Sequence, residues 1–175
     1  MPIQDVISEL NRIQSIGLIS SYAIGGGIAI QEYIEISWTE DIDVFVVVAG
    51  ASSGPLVAIG PIWADLVAHG AQEDHLYLVI GGWKMQVLTS STPLQDEAVL
   101  HARMKDFGGQ TGRIMGPEHL AAIALHTGRV KDYTRMVEFI GRGKLDMAVF
   151  MQLVDKYGLQ AKWDTFQTRY LAPNV

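Results

Sequence analysis

Asp41 and Asp43 stand one residue apart at the head of an apolar run, DIDVFVVV, and a Gly25-Gly26-Gly27 triplet precedes them. In a strand, side chains alternate between faces, so the two aspartates share one face while Ile42 and Val44 take the other. Carboxylates about 7 Å apart at Cα repel one another unless something offsets their charge. A divalent cation does so, since Mg²⁺ takes one or two carboxylates and fills its shell with water and phosphate oxygens. The glycines suit the phosphate. Between a strand and a helix, bare backbone can approach it closely, with N–H groups at the positive end of the helix dipole. Thr39 offers a hydroxyl to the same phosphate or to the strand-end backbone. Plainer readings stay open, a tight turn for the glycines and a solvated or capping role for the aspartates. The spacing favours chemistry: Gly26-Gly27, thirteen residues, then Asp-Ile-Asp-Val, with a helix expected between.

Those residues need a frame. Ile3, Val6, Ile7, Leu10, Ile13 and Ile16 recur at helical spacing, and Gly17 suits the helix end. A strand is expected over Ser20 to Ile24, a helix over 27–34 and a strand over Asp41 to Val48. VFVVV has no polar face, which predicts a central strand. Ala49 to Pro55 reads as a loop and 55–69 as a helix. HLYLVIGGWKMQVLTS predicts strands over 75–80 and 83–88 joined at Gly81-Gly82. A short strand at Thr111 to Met115 precedes a helical remainder that starts at Pro117 and ends in a helix over 161–170. The expectation is an α+β (or α/β) fold, a mixed sheet of four to five strands flanked by helices, with a C-terminal helical subdomain. The division falls between a core at 1–110 and a helical part at 111–175 packed on it as one compact unit.

The chain has 175 residues, 49% hydrophobic and 18% charged, enough to bury a core and too apolar for disorder. No apolar run reaches the roughly 18 residues of a membrane span. MPIQDVISEL lacks the basic and apolar regions of a leader, and there is no cysteine, so a cytoplasmic protein is expected. A net charge of −6 argues against general nucleic-acid binding. Residues 1–100 hold two basic and twelve acidic residues, whereas 101–175 hold eleven and seven. Either helix faces simply differ in charge, or an acidic cation site faces a basic patch with an anion between. The five histidines stand neither at i, i+4 nor in another usual zinc spacing, and read as surface or helix-end residues rather than a metal site. No Walker loop or G-x-S-x-G elbow occurs.

GGIAIQEYIEISWTEDIDVFV resembles the nucleotidyltransferase superfamily of the DNA polymerase beta type, and more narrowly its AbiEii-like and MNT-like minimal members, many from toxin–antitoxin or phage-defence systems. Gly26, Gly27 and Ala29 match the glycine motif, and Thr39, Asp41 and Asp43 the acidic one. MGPEHLAAIALHTGRVKDYTRMVEFI is similar to their helical block, with Arg129, Lys131 and Asp132 on its R-x-KD motif. The resemblance implies a two-metal transfer of a nucleoside monophosphate from NTP to a protein, RNA or small-molecule acceptor. Asp41 and Asp43 would hold Mg²⁺ (or Mn²⁺); Gly26, Gly27, Thr39, Arg129 and Lys131 would meet the phosphates.

The chain also departs from that pattern. Active members carry a third carboxylate where this sequence has Gln86, and an amide is neither an anionic ligand nor a base. Ser37 and Ala124 stand where relatives often have Arg and Lys. Glu73 or Asp74, just before the hairpin, could substitute in space for the missing acid. Asp132 has an equal structural reading, as a helix-surface ion pair or a tie between subdomains, and Trp38 either stacks on a base or packs in a core or interface. A catalytically impaired member, acting as a nucleotide- or partner-binding module of the antitoxin type, is the competing expectation.

Overall fold

The computed structural model describes residues 3–35, 39–48 and 55–171, with the side chains of 55–58 aside. Ser37, Trp38 and residues 49–54 of the loop expected from Ala49 to Pro55 lie outside the described residues.

Helix α1 (Gln4–Ser15) forms because Val6, Ile7, Leu10 and Ile13 make one apolar stripe, all fully buried. Burial of each such side chain contributes roughly 1.5–3 kcal/mol. Gly17, at φ +78°, ends the helix as Leu18 N–H donates to the Ile13 carbonyl at 3.0 Å. Strand β1 (Ser21–Ile24), helix α2 (Gly26–Gln31) and strand β2 (Asp41–Val47) follow. Helix α3 (Pro55–Ala68) leads to β3 (Gln72–Asp74), β4 (Tyr77–Ile80) and β5 (Trp83–Thr89). Then come α4 (Pro93–Leu100), β6 (Arg103–Asp106) and β7 (Thr111–Ile114). Helices α5 (Pro117–Thr127), α6 (Val130–Gly141), α7 (Met147–Lys156) and α8 (Gln160–Phe166) follow, the last running into a π-type turn at Gln167–Leu171. No helix among the described residues is long and apolar enough to cross a membrane.

The α+β class expected from the sequence holds, but the sheet has seven strands rather than four or five, in the order β3-β4-β5-β2-β1-β7-β6. The additional strands β3 and β6 are the two edges. Their sequences, Gln-Glu-Asp and Arg-Met-Lys-Asp, are polar and mostly exposed, so no apolar alternation announces them. The strand expected over 75–80 starts late, at Tyr77, because His75 lies at φ +55° in the two-residue turn between Asp74 and Tyr77. Gly81 and Gly82, at φ +56° and +83°, close the β4–β5 hairpin where the sequence placed it. Helix α4 is a further addition. Thr92 caps it by accepting from Gln95 N–H at 3.2 Å, and Pro93 opens its first turn.

β2 is central, antiparallel to β1 and parallel to β5. That is the central place expected from VFVVV, although its two faces are not covered equally. Ile42, Val44 and Val46 are buried against the main core, while Asp41, Asp43, Phe45 and Val47 on the opposite face are only half-buried. That main core gathers α1, the sheet and parts of α2 to α6. A second cluster, including Leu125, Met136, Phe150, Trp163 and Phe166, holds α5 to α8 together.

Candidate active site

The half-covered face of β2 is one wall of a cleft of about 410 Å³. The sheet supplies Asp41, Asp43 and Gln86, while Arg129, Lys131 and Arg135 come from the start and first turns of α6. The sheet wall is built by register. Asp43 pairs with Gln86 across the parallel β2–β5 ladder, so the two side chains stand beside one another on the cleft face. The residue expected from the sequence at the third acidic position is therefore adjacent to the pair, and it is an amide.

The glycine motif is locked to the acidic one. Gly25 N–H donates to the Asp43 carbonyl at 2.8 Å, which seats the start of α2 on β2. Gly26 lies at φ +55°, and a Cβ there would be 1.8 Å from Asp43 Oδ2. A Cβ on Gly27 would be 2.8 Å from Thr39 Oγ1. The bare Cα atoms thus make room for Asp43 and Thr39. Thr39 in turn donates its hydroxyl to Asp41 Oδ1 at 2.7 Å, fixing that carboxylate from its own strand end.

Asp43 accepts no hydrogen bond and makes no ion pair at its carboxylate among the described residues. Burial pushes its pKa above the ordinary 3.8, and the charge of Asp41 adds to the rise; Lys131, Arg135 and Arg129 oppose it from across the cleft. A pair of acids that repel, half out of water, beside a cradle that a Cβ would fill, is a donor set suited to a hard divalent cation with oxygen ligands.

The helical wall is organised by Asp132. Its buried carboxylate accepts from Arg129 Nε at 2.7 Å and Nη2 at 3.2 Å, with Arg135 Nη1 at 3.8 Å. All three residues belong to α6 or its N-cap, so the ion pairs order one helix start rather than tie two subdomains. Arg129 keeps an exposed guanidinium face, and exposed Lys131 has no ion-pair partner among the described residues. Arg135 escaped the sequence reading, although it lies four residues after Lys131 and thus on the same helix face. Ala124 of α5 lines the cleft as a small apolar residue. Glu73 and Asp74 serve elsewhere. Glu73 accepts from Trp63 Nε1 at 2.6 Å, and Asp74 pairs with Lys84 at 2.7 Å.

No family model matches the chain, and no curated protein matches it. Its fold is similar to that of an antigenic nucleotidyltransferase-like protein from Paracoccidioides brasiliensis, with a TM-score of 0.53 and 16% identity, over 90% of this chain and 89% of that one. ANT(2'')-Ia in complex with adenylyl-2''-tobramycin aligns with a TM-score of 0.45 and 15% identity, over 94% and 97% of the two chains. The solution structure of the same antibiotic-resistance factor gives 0.45 and 16%, over 95% and 92%. The chain has a nucleotidyltransferase-like fold.

Proposed function

We propose that the cleft binds NTP with a divalent cation and transfers the nucleoside monophosphate to an acceptor. One observation carries this reading: a repelling carboxylate pair, a glycine turn and three cationic side chains face one another across a single cleft. Asp41 and Asp43 would hold Mg²⁺ or Mn²⁺, which when bound neutralises phosphate charge and polarises the phosphoryl group. The bare backbone at Gly26 and Gly27, with Thr39, would cradle the phosphates. Lys131 and the outer face of Arg129 would draw the triphosphate in, and Asp132 would hold Arg129 in position. In the reaction the acceptor oxygen bonds to the α-phosphorus, the bond to the β-phosphate oxygen breaks and pyrophosphate leaves. Within the nucleotidyltransferase fold, the AbiEii-like and MNT-like proteins are the subgroup whose motifs the sequence resembles, and a protein, RNA or small molecule is the acceptor class. A cytoplasmic setting would supply both NTP and Mg²⁺.

A second reading rests on Gln86. The acceptor's proton needs a base, and the acids lining the cleft among the described residues are Asp41, Asp43 and Asp132, the last already bound by Arg129. A protein that binds nucleotide and a protein partner of the antitoxin type without turnover satisfies the same geometry.

Calorimetric titration with Mg²⁺ and each NTP tests the site. Binding to wild type should weaken at least about 100-fold in Asp41→Asn/Asp43→Asn. No binding by wild type, or equal binding by the variant, refutes the proposal. Incubation with labelled NTP and lysate then separates the two readings, since metal-dependent label on any acceptor excludes the inactive one.

A further inference from the structure

Away from the cleft, the C-terminal end of α4 meets the first turn of α5. Glu97 and His101 lie one helical turn apart, and His119 faces them from α5. One ligand atom from each of the three lies within 4.8 Å of the other two. Glu97 Oε1 is 3.8 Å from His101 Nδ1 and 3.7 Å from His119 Nε2. These separations are too long for hydrogen bonds. They are close to the edge of a tetrahedron around Zn²⁺, about 3.4 Å for metal–ligand bonds near 2.05 Å.

Two further observations indicate a ligand rather than a chance gathering. His119 is 8% exposed, yet its Nε2 has no hydrogen-bond partner. Such an orphan inside a fold is costly unless something completes it. The second carboxylate oxygen of Glu97 is occupied, since Lys156 and Tyr157 of the α7 end both donate to Oε2. Those bonds turn Oε1 toward the two imidazoles, as outer hydrogen bonds do for metal-ligating carboxylates.

We infer that Glu97, His101 and His119 form a second cation site, selective for Zn²⁺ or a similar nitrogen-seeking divalent ion, that clamps α4 to α5. Two imidazoles and one carboxylate suit Zn²⁺ and not Mg²⁺, whereas the all-oxygen pair at Asp41 and Asp43 suits the reverse. Three protein ligands leave a fourth position for water, on the side of the exposed His101. His101 and His119, which the sequence offered as separate surface or helix-end residues, belong to this one cluster. The signal was present as Glu-x-x-x-His, a spacing missed because only His–His pairs carry the familiar pattern. The proposal is independent of the nucleotide reading.

Titration of the untagged full chain with Co²⁺ in excess Mg²⁺ tests it. One equivalent should bind with the visible d–d absorption of a low-coordinate nitrogen-ligated site, and Zn²⁺ should displace it and raise the melting temperature. His101→Ala, at an exposed position, should weaken binding at least about 10-fold and abolish the Zn²⁺-dependent rise; His119→Gln should do the same. No absorption in wild type, unchanged affinity in His101→Ala, or displacement by Mg²⁺ overturns the proposal.

Discussion

Asp43 and Asp132 are carboxylates on opposite walls of one cleft, and the chain treats them in opposite ways. Asp132 is the more deeply buried, yet two hydrogen bonds from Arg129 and the nearby Arg135 answer its charge within its own helix. Asp43 keeps some contact with water but has no such partner, and its closest charged companion on the strand repels it. Burial alone therefore does not mark the reactive group. The informative carboxylate is the one whose environment leaves its charge unanswered, because a ligand is the remaining way to answer it.

The largest effect should come from filling the space that Asp43 uses. Gly26→Ala places a methyl group against Asp43 Oδ2 and forces alanine into a left-handed backbone at φ +55°. A loss of about 3 kcal/mol in urea unfolding is expected, against about 1 kcal/mol for Gly27→Ala, whose backbone is ordinary. Adding Asp43→Ala to Gly26→Ala should recover part of the loss, and strict additivity would show that the two residues do not share the space. Asp132→Asn comes next. It removes the acceptor that fixes Arg129, and roughly 1–2 kcal/mol should be lost, together with weaker triphosphate binding by calorimetry. If NTP affinity held, Arg129 would be no phosphate ligand.

The smallest effect has the opposite sign. Because folding raises the Asp43 pKa above its ordinary 3.8, the folded state binds that proton more tightly than the unfolded one. The resulting penalty is absent below that ordinary value, grows as pH rises through the folded pKa and is complete above it. Asp43→Asn should therefore melt slightly above wild type at pH 7 without ligand, and the difference should vanish in strong acid. A variant that melts lower at pH 7 would mean that Lys131, Arg129 and Arg135 outweigh burial and repulsion. The contrast between the two carboxylates would then fail.

What could be read from the sequence was what is local. Asp-Ile-Asp-Val on a strand, glycines at a strand–helix turn and Gly81-Gly82 in a hairpin each declare themselves within a few residues. Gln86 was singled out through the resemblance, as the residue at the third acidic position, and the β2–β5 register sets it beside Asp43. The edges β3 and β6 were invisible because polar strands show no period-two contrast with loops. Arg135, and the meeting of His119 with Glu97 and His101, depend on which helix faces turn toward one another. Packing settles that, and no short stretch records it.

The interlock of Gly26 with Asp43 has a consequence for descent. Position 26 is not free to drift while Asp43 stays, because a side chain there displaces the carboxylate. A lineage that replaced Asp43 by glycine would lose the crowding that excludes a side chain at 26, leaving only the backbone angle to favour glycine there, whereas an alanine at 43 would keep a Cβ 2.9 Å from one at 26. Asparagine, which tolerates that angle, would then become an acceptable occupant. Among distant descendants of this fold, a Gly26 replaced by asparagine should travel with glycine at 43, and such a pair would identify retired cation sites from two letters of sequence.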